Sequence, residues 1–148
     1  MSAPDLKLPE LPCACASLRR AARAVSQFYE TELADTGLTI TQFTLLQVLS
    51  RTSEIRQREL GELLVMDSTT LTRTLRLLTA RKLIRKSVGE DRRERYWALT
   101  ATGLNALEAA LPLWKRTQSR LKQNLGRETY EQLRLVSQAA AEVGVGRA

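Results

Sequence analysis

Histidine is absent from all 148 residues, and cysteine occurs only twice. The first absence excludes Ser-His-Asp and Cys-His catalysis, histidine-ligated zinc and histidine pH switching together. The second excludes a disulfide-built scaffold and agrees with a reducing cytosol, so a cytoplasmic protein is expected. No apolar run approaches the roughly 18 residues that a membrane-spanning helix needs. No basic segment followed by an apolar stretch opens the chain, so neither membrane insertion nor secretion is expected. A glycine-rich phosphate loop is also missing. No metal and no cofactor is therefore expected, and an enzyme is the weaker reading.

What is present is ordinary globular material. Apolar residues make up 43% and charged residues 26% of the chain, enough to fill the core of one domain. The net charge is +7, with an isoelectric point near 10.0. That excess is not uniform. Residues 1–50 carry four basic and five acidic side chains, residues 51–96 twelve and seven, and residues 97–148 seven and four. A basic middle third is the footprint of a polyanion partner. On charge alone, a merely soluble basic face is an equal reading.

Three of the four prolines (Pro4, Pro9 and Pro12) fall in residues 1–12, which read as an extended arm. Residues 13–148 read as a single domain. From 13 to 35 the apolar positions Leu18, Ala21, Ala22, Val25, Phe28, Tyr29 and Leu33 follow helical spacing, and Gly37 stops that helix. Thr39-Ile40-Thr41-Gln42 has the pattern of a capping box, opening a largely buried helix through Phe43, Leu45, Leu46, Val48 and Leu49. A short helix follows over 56–64. Asp67 is a good N-cap for another over 68–81, with a buried stripe of Leu71, Leu75 and Leu78. Two β-prone runs, 83–88 and 95–99, are joined by a polar loop of hairpin length. Thr100 begins a long helix whose apolar residues Leu104, Leu107, Leu111, Trp114, Leu121 and Leu125 form a heptad-like seam around Gln118, with Pro112 expected to kink it. A last helix spans 128–142. The expected fold is mainly α with a small β-hairpin.

The middle of this order is a short helix, a tight connection, an amphipathic helix and a hairpin. It reads as a helix-turn-helix with a wing, over about 38–100. Ser68, Thr69, Thr70, Thr72, Arg73 and Arg76 offer short hydroxyls and guanidinium groups opposite the buried stripe. Hydroxyls reach phosphates and base edges, and arginine binds guanine bidentately, so this is the chemistry of a helix in the major groove of double-stranded DNA. In the hairpin, Asp91, Arg92, Arg93 and Arg95 stand at and beside the tip. An arginine on a projecting turn can enter the minor groove, with Asp91 expected to orient the Arg93 guanidinium. The alternative for both sets is a solvated charged surface.

The stretch from Leu38-Thr39-Ile40-Thr41-Gln42-Phe43 through Asp91-Arg92-Arg93 to Leu99-Thr100-Ala101-Thr102-Gly103 resembles the MarR family of bacterial winged-helix regulators. The wing motif Asp-x-Arg and the following Leu-Thr-x-x-Gly both stand at the family's spacing, and the likeness covers about residues 13–143. It implies a homodimer built from terminal helices (about 13–35 and 101–143), bound to a pseudo-palindromic operator. It further implies that the face from Ser68 to Arg76 enters the major groove and that Arg93 reaches the minor groove. Most such proteins repress, and are released by a ligand or an oxidant.

The seam supports pairing independently, with packing against the first helix as the alternative. Two-fold symmetry places the two recognition helices one turn of DNA apart, about 34 Å. For sensing, Cys13 and Cys15 stand at the start of the first helix, where the dipole favours a reactive thiolate. Such thiols oxidise reversibly to a sulfenic acid or a disulfide, though a bridge requires the helix start to unwind. Cys15 and Tyr29 fall where the organic hydroperoxide resistance regulators of this family carry a reactive cysteine and a supporting tyrosine, whereas Arg19 and Ile40 replace tyrosines of those members. Two ordinary cysteines are the alternative. A small aromatic effector between the dimerisation helices and the DNA-binding lobe is the other expected signal, with Phe28, Tyr29, Phe43 and Trp114 near such a cleft, although plain core is the favoured reading of each. A thiol-based redox switch or thiol enzyme without DNA is the remaining functional alternative.

Overall fold

The computed structural model describes residues 8–145. Residues 8–12 form no helix or strand; residues 1–7 of the expected arm lie outside the described residues. Helix α1 spans Ala14–Leu33, with Cys13 at its N-cap in extended backbone. A 3-10 turn, Ala34–Thr36, ends at Gly37, whose φ of 68° is left-handed and suits glycine. The capping box forms as expected. Thr39 Oγ1 accepts the Gln42 N–H at 3.1 Å, and Gln42 Oε1 accepts the Thr39 N–H at 3.2 Å. The next free donor, Ile40 N–H, is taken by Glu30 Oε1 of α1 at 3.0 Å, which fixes the first helix against α2 (Ile40–Leu49).

Helix α3 spans Gln57–Leu64 and α4 spans Ser68–Ala80. The expected hairpin is present as β2 (Ile84–Val88) and β3 (Arg95–Leu99). It is part of a three-stranded antiparallel sheet of order β1-β3-β2, because β1 (Ile55–Arg56) pairs the far edge of β3 with Ile55 opposite Trp97. Two residues are too few to show alternation, so the pattern around Arg56 reads as a helix start rather than a strand. Helices α5 (Ala101–Leu125) and α6 (Arg127–Val145) complete the described residues.

Leucines dominate the core. Leu33, Leu45, Leu46, Leu49, Leu60, Leu71, Leu75 and Leu78 are buried around Phe43. Each contributes about 2 kcal/mol relative to exposure. The α5 seam behaves differently from expectation. Leu107 and Leu121 are buried, and Leu111 and Trp114 pack on this chain's own core, with the Trp114 ring stacked 5.7 Å from Phe43. The central stripe is thus consumed within the chain. Leu104 and Leu125, at the two ends of the seam, stay exposed, and α6 buries no residue and exposes Leu135, Val136 and Val143.

The Leu-Thr-x-x-Gly segment joins the hairpin to α5. Thr100 Oγ1 accepts the Gly103 N–H at 2.9 Å, capping α5, while its hydroxyl faces the Lys82 carbonyl at 2.7 Å and the Leu83 carbonyl at 2.9 Å. Gly103 lies so close to the chain entering β2 that an added Cβ would stand 1.9 Å from Leu83 O.

Candidate nucleic-acid interface

The turn between α3 and α4 is three residues, Val65 to Asp67. Val65 is left-handed at φ 48°, with its N–H bonded to Glu62 O at 3.2 Å. This backbone costs a β-branched residue about 1–2 kcal/mol, and Val65, 57% exposed, has little packing to set against it. Val65→Asn should therefore raise the unfolding free energy by about 1 kcal/mol, read as a higher urea midpoint at constant slope.

Asp67 then starts α4. Its carboxylate accepts the Thr70 N–H at 2.9 Å. Hydrogen bonds from Thr70, the hydroxyl first and the backbone second, hold the Asp67 carboxyl below its ordinary value. A carboxyl depressed in the fold stabilises it above the unfolded value, about 3.9, and ceases to as pH falls through the folded value. On acidification below about pH 4, the native chain should lose melting temperature faster than Asp67→Asn, which keeps the cap without the titration.

The stripe Leu71, Leu75 and Leu78 is buried as expected, and Ser68, Thr69, Thr72, Arg73 and Arg76 are exposed on α4. Arg92, Arg93, Asp91 and Arg95 are exposed on the wing. The Asp91 carboxylate does not orient a guanidinium: its Oδ1 accepts the Arg93 backbone N–H at 2.9 Å, shaping the turn. A carboxylate two residues before an N–H reaches it more readily than the end of a long side chain.

Behind the tip, Arg56 Nε donates to Tyr96 Oη at 2.9 Å, the guanidinium lies 5.7 Å over the Tyr96 ring, and Tyr96 Oη donates to Glu94 Oε2 at 2.9 Å. The Tyr96 hydrogen bond and then Glu94 raise the Arg56 pKa further above its already high ordinary value. Glu54 of the segment before β1 pairs with Arg85 at 3.3 Å and accepts from Ser87 Oγ at 2.9 Å, bracing β2. Trp97 is buried between the sheet and α3, its Nε1 donating to Gln57 Oε1 at 3.1 Å. Trp97 and Tyr96 thus anchor the wing.

Helix and wing meet in one cleft of about 410 Å³. Its lining includes Thr72, Leu75 and Arg76 of α4, Lys86 of β2, and Arg95 and Trp97 of β3. An apolar floor under three cations is the result. Lys86 and Gln57 are not among the residues that sequence reasoning singles out. Lys86 is legible as an outward position of β2, but nothing in the sequence marks Gln57.

The other candidates sit elsewhere. Cys13 and Cys15 are both exposed, with Cys13 Sγ accepting the Ala16 N–H at 3.3 Å. Tyr29 lies fourteen residues beyond Cys15 on the same helix, about 21 Å along its axis, so one chain does not bring them together. Its hydroxyl donates to Gln118 Oε1, which also accepts Tyr130 Oη at 3.1 Å, and burial followed by Tyr130 pushes the Tyr29 pKa up to about 12. The four aromatics expected near an effector pack on one another: Phe43 stacks on Trp114, and Phe28 meets Tyr29 edge-on at 6.2 Å.

A helix with one buried stripe and one hydroxyl- and arginine-bearing face, beside an arginine-tipped hairpin, defines the winged helix-turn-helix class. Residues 36–94 match the MarR family. The chain is 36% identical to the M. tuberculosis transcriptional regulator MosR, solved in complex with DNA, over 88% of this chain and 98% of that one, with a TM-score of 0.77. A probable transcriptional regulator from Pseudomonas aeruginosa is 28% identical over 86% and 97%, with a TM-score of 0.76. The transcriptional repressor CouR, bound to a 23-mer DNA duplex, is 26% identical over 90% and 99%, with a TM-score of 0.77. No curated protein matches the sequence. The chain belongs to the MarR family.

Proposed function

We propose that the chain is a sequence-specific DNA-binding transcriptional regulator, acting as a cytoplasmic homodimer on a pseudo-palindromic operator. It represses until a small effector or thiol oxidation releases it. The observation that carries this reading is the convergence of Thr72 and Arg76 of α4 with Lys86 and Arg95 of the wing on one cleft. Hydroxyls and cations on a single side of the fold suit a polyanion whose edges also need reading. MosR and CouR are solved with DNA, which supports the same assignment here. The apolar residues left exposed on α6 support pairing, as does the family. Regulation then needs only binding, with no bond made or broken at the DNA.

A titration of duplex DNA from the chain's own upstream region, against an excess of unrelated duplex, tests this. Saturable binding that resists the competitor is expected; binding that the competitor abolishes at equal mass contradicts it.

Thiol oxidation as the release signal rests on one observation. Cys13 sulfur is itself the N-cap of α1, and both thiols are open to solvent. When a peroxide takes two electrons and two protons from the pair, the disulfide removes that cap and strains the first turn of α1, one of the terminal helices assigned to pairing. Free-thiol titration before and after peroxide should show loss of two thiols per chain together with weaker operator binding. Loss of thiols with unchanged affinity contradicts the redox reading and leaves the DNA reading standing.

A further inference from the structure

Gln57, in the first turn of α3, bridges the wing and the recognition helix with one amide. Its Oε1 accepts Trp97 Nε1 at 3.1 Å and its Nε2 donates to Thr72 Oγ1 at 3.3 Å. We propose that Gln57 is a positioning residue that leaves the Thr72 hydroxyl proton free for the DNA, so that Thr72 favours hydrogen-bond acceptors there. This rests on the DNA-binding reading above.

The direction of every bond in this relay is set by one group. An indole N–H only donates, so the amide oxygen of Gln57 must face Trp97. The amide nitrogen must then face Thr72, and that nitrogen also only donates. Thr72 Oγ1 is thereby the acceptor, and its own proton is left over. Flipping the amide would set N–H against N–H at the buried Trp97 and is resisted for that reason. The neighbours of Thr72 show the alternative use of a helical hydroxyl. Thr74 donates to Thr70 O at 2.9 Å and Thr79 donates to Leu75 O at 2.8 Å, each spending its proton on the turn before. Thr72 makes no such bond among the described residues, and it is exposed on the face that carries Arg73 and Arg76.

A fixed donor selects its partner. Guanine O6 and N7, adenine N7, thymine O4 and a phosphate oxygen all accept; adenine N6 and cytosine N4 can reach only the second lone pair of Oγ1, which leaves the hydroxyl proton unpaired and is disfavoured for that reason. The same relay ties β3 to α4 through one side chain, so the wing and the reading face keep a common register.

Full-length protein selected on randomised duplexes tests the proposal, with Thr72→Val, Thr72→Ser and Gln57→Glu beside the native chain. A glutamate at 57 still accepts from Trp97 but offers oxygen to Thr72, which then spends its proton there and presents an acceptor instead. The native chain and Thr72→Ser should favour an acceptor-bearing base at one position per half-site by about fivefold, the size of one hydrogen bond. Thr72→Val and Gln57→Glu should flatten that preference. If the acceptor is a phosphate, base preferences stay and both variants instead lose sensitivity to a methylphosphonate at one site. Gln57→Glu that keeps both the native preferences and the methylphosphonate sensitivity overturns the proposal. Matching melts and far-ultraviolet circular dichroism establish that Gln57→Glu is folded, and Thr72→Val, on the exposed face, tests the same point if it is not. A native chain that enriches no duplex at all defeats the DNA-binding reading itself, a result distinct from either variant outcome.

Discussion

Gly103→Ala should lower the unfolding free energy by about 3 kcal/mol or more, and the melting temperature by about 10 °C. The new Cβ has nowhere to go. It would meet Leu83 O at 1.9 Å, the Leu83 carbonyl carbon at 2.9 Å and Leu99 Cδ1 at 2.8 Å, and the first two are backbone. Relief requires α5 to withdraw from the start of β2, which breaks the Thr100 hydroxyl from the Lys82 and Leu83 carbonyls. Gly144, inside α6 with nothing within 4 Å of an added Cβ, is the control. Because Gly144 is the penultimate residue of α6, Gly144→Ala should change the unfolding free energy by less than about 0.5 kcal/mol. Urea unfolding of the two variants checks the claim; equal midpoints would show that the strand-to-helix junction is looser than its geometry implies.

Operator affinity should fall by about 10³ to 10⁵ between 50 and 200 mM salt, as it does for about six to ten neutralised phosphates per dimer. Within that loss the two arginine classes should separate. If Arg93 at the wing tip meets phosphates as proposed, Arg93→Ala should weaken binding to most sequences and make the salt slope shallower by about one for each phosphate no longer neutralised. If Arg73 on α4 pairs with guanine as proposed, Arg73→Ala should lose about 1–3 kcal/mol at that base, so discrimination between operator and mutated operator shrinks. Fluorescence anisotropy over a salt series gives both numbers. A flat salt response, or two arginine variants with identical behaviour, contradicts the assignment of these roles.

What the sequence made legible is what neighbouring residues decide among themselves. Thr39 with Gln42, and Asp67 ahead of Leu71, fix helix starts through bonds three residues long, and both form as their spacing implies. The buried stripe of α4 follows from its spacing, and its polar face follows from the stripe. What escaped depends on distant partners. Strand β1 exists only because Ile55 meets Trp97, forty-two residues later. The seam of α5 has the period of a pairing helix, yet Trp114 finds Phe43 of its own chain, a choice that periodicity does not encode. Asp91 satisfies a backbone N–H two residues on rather than a guanidinium, because the turn brings the N–H to it. Gln57 carries no pattern at all; its place between Trp97 and Thr72 emerges only when α3, β3 and α4 are assembled.

A hydroxyl-radical footprint on the selected duplex tests the central claim most directly, since it maps both recognition helices at once. The account predicts two protected segments on one face of the DNA, their centres one helical turn, about 34 Å, apart. A single protected segment, or even cleavage along the whole duplex at saturating protein, would contradict it.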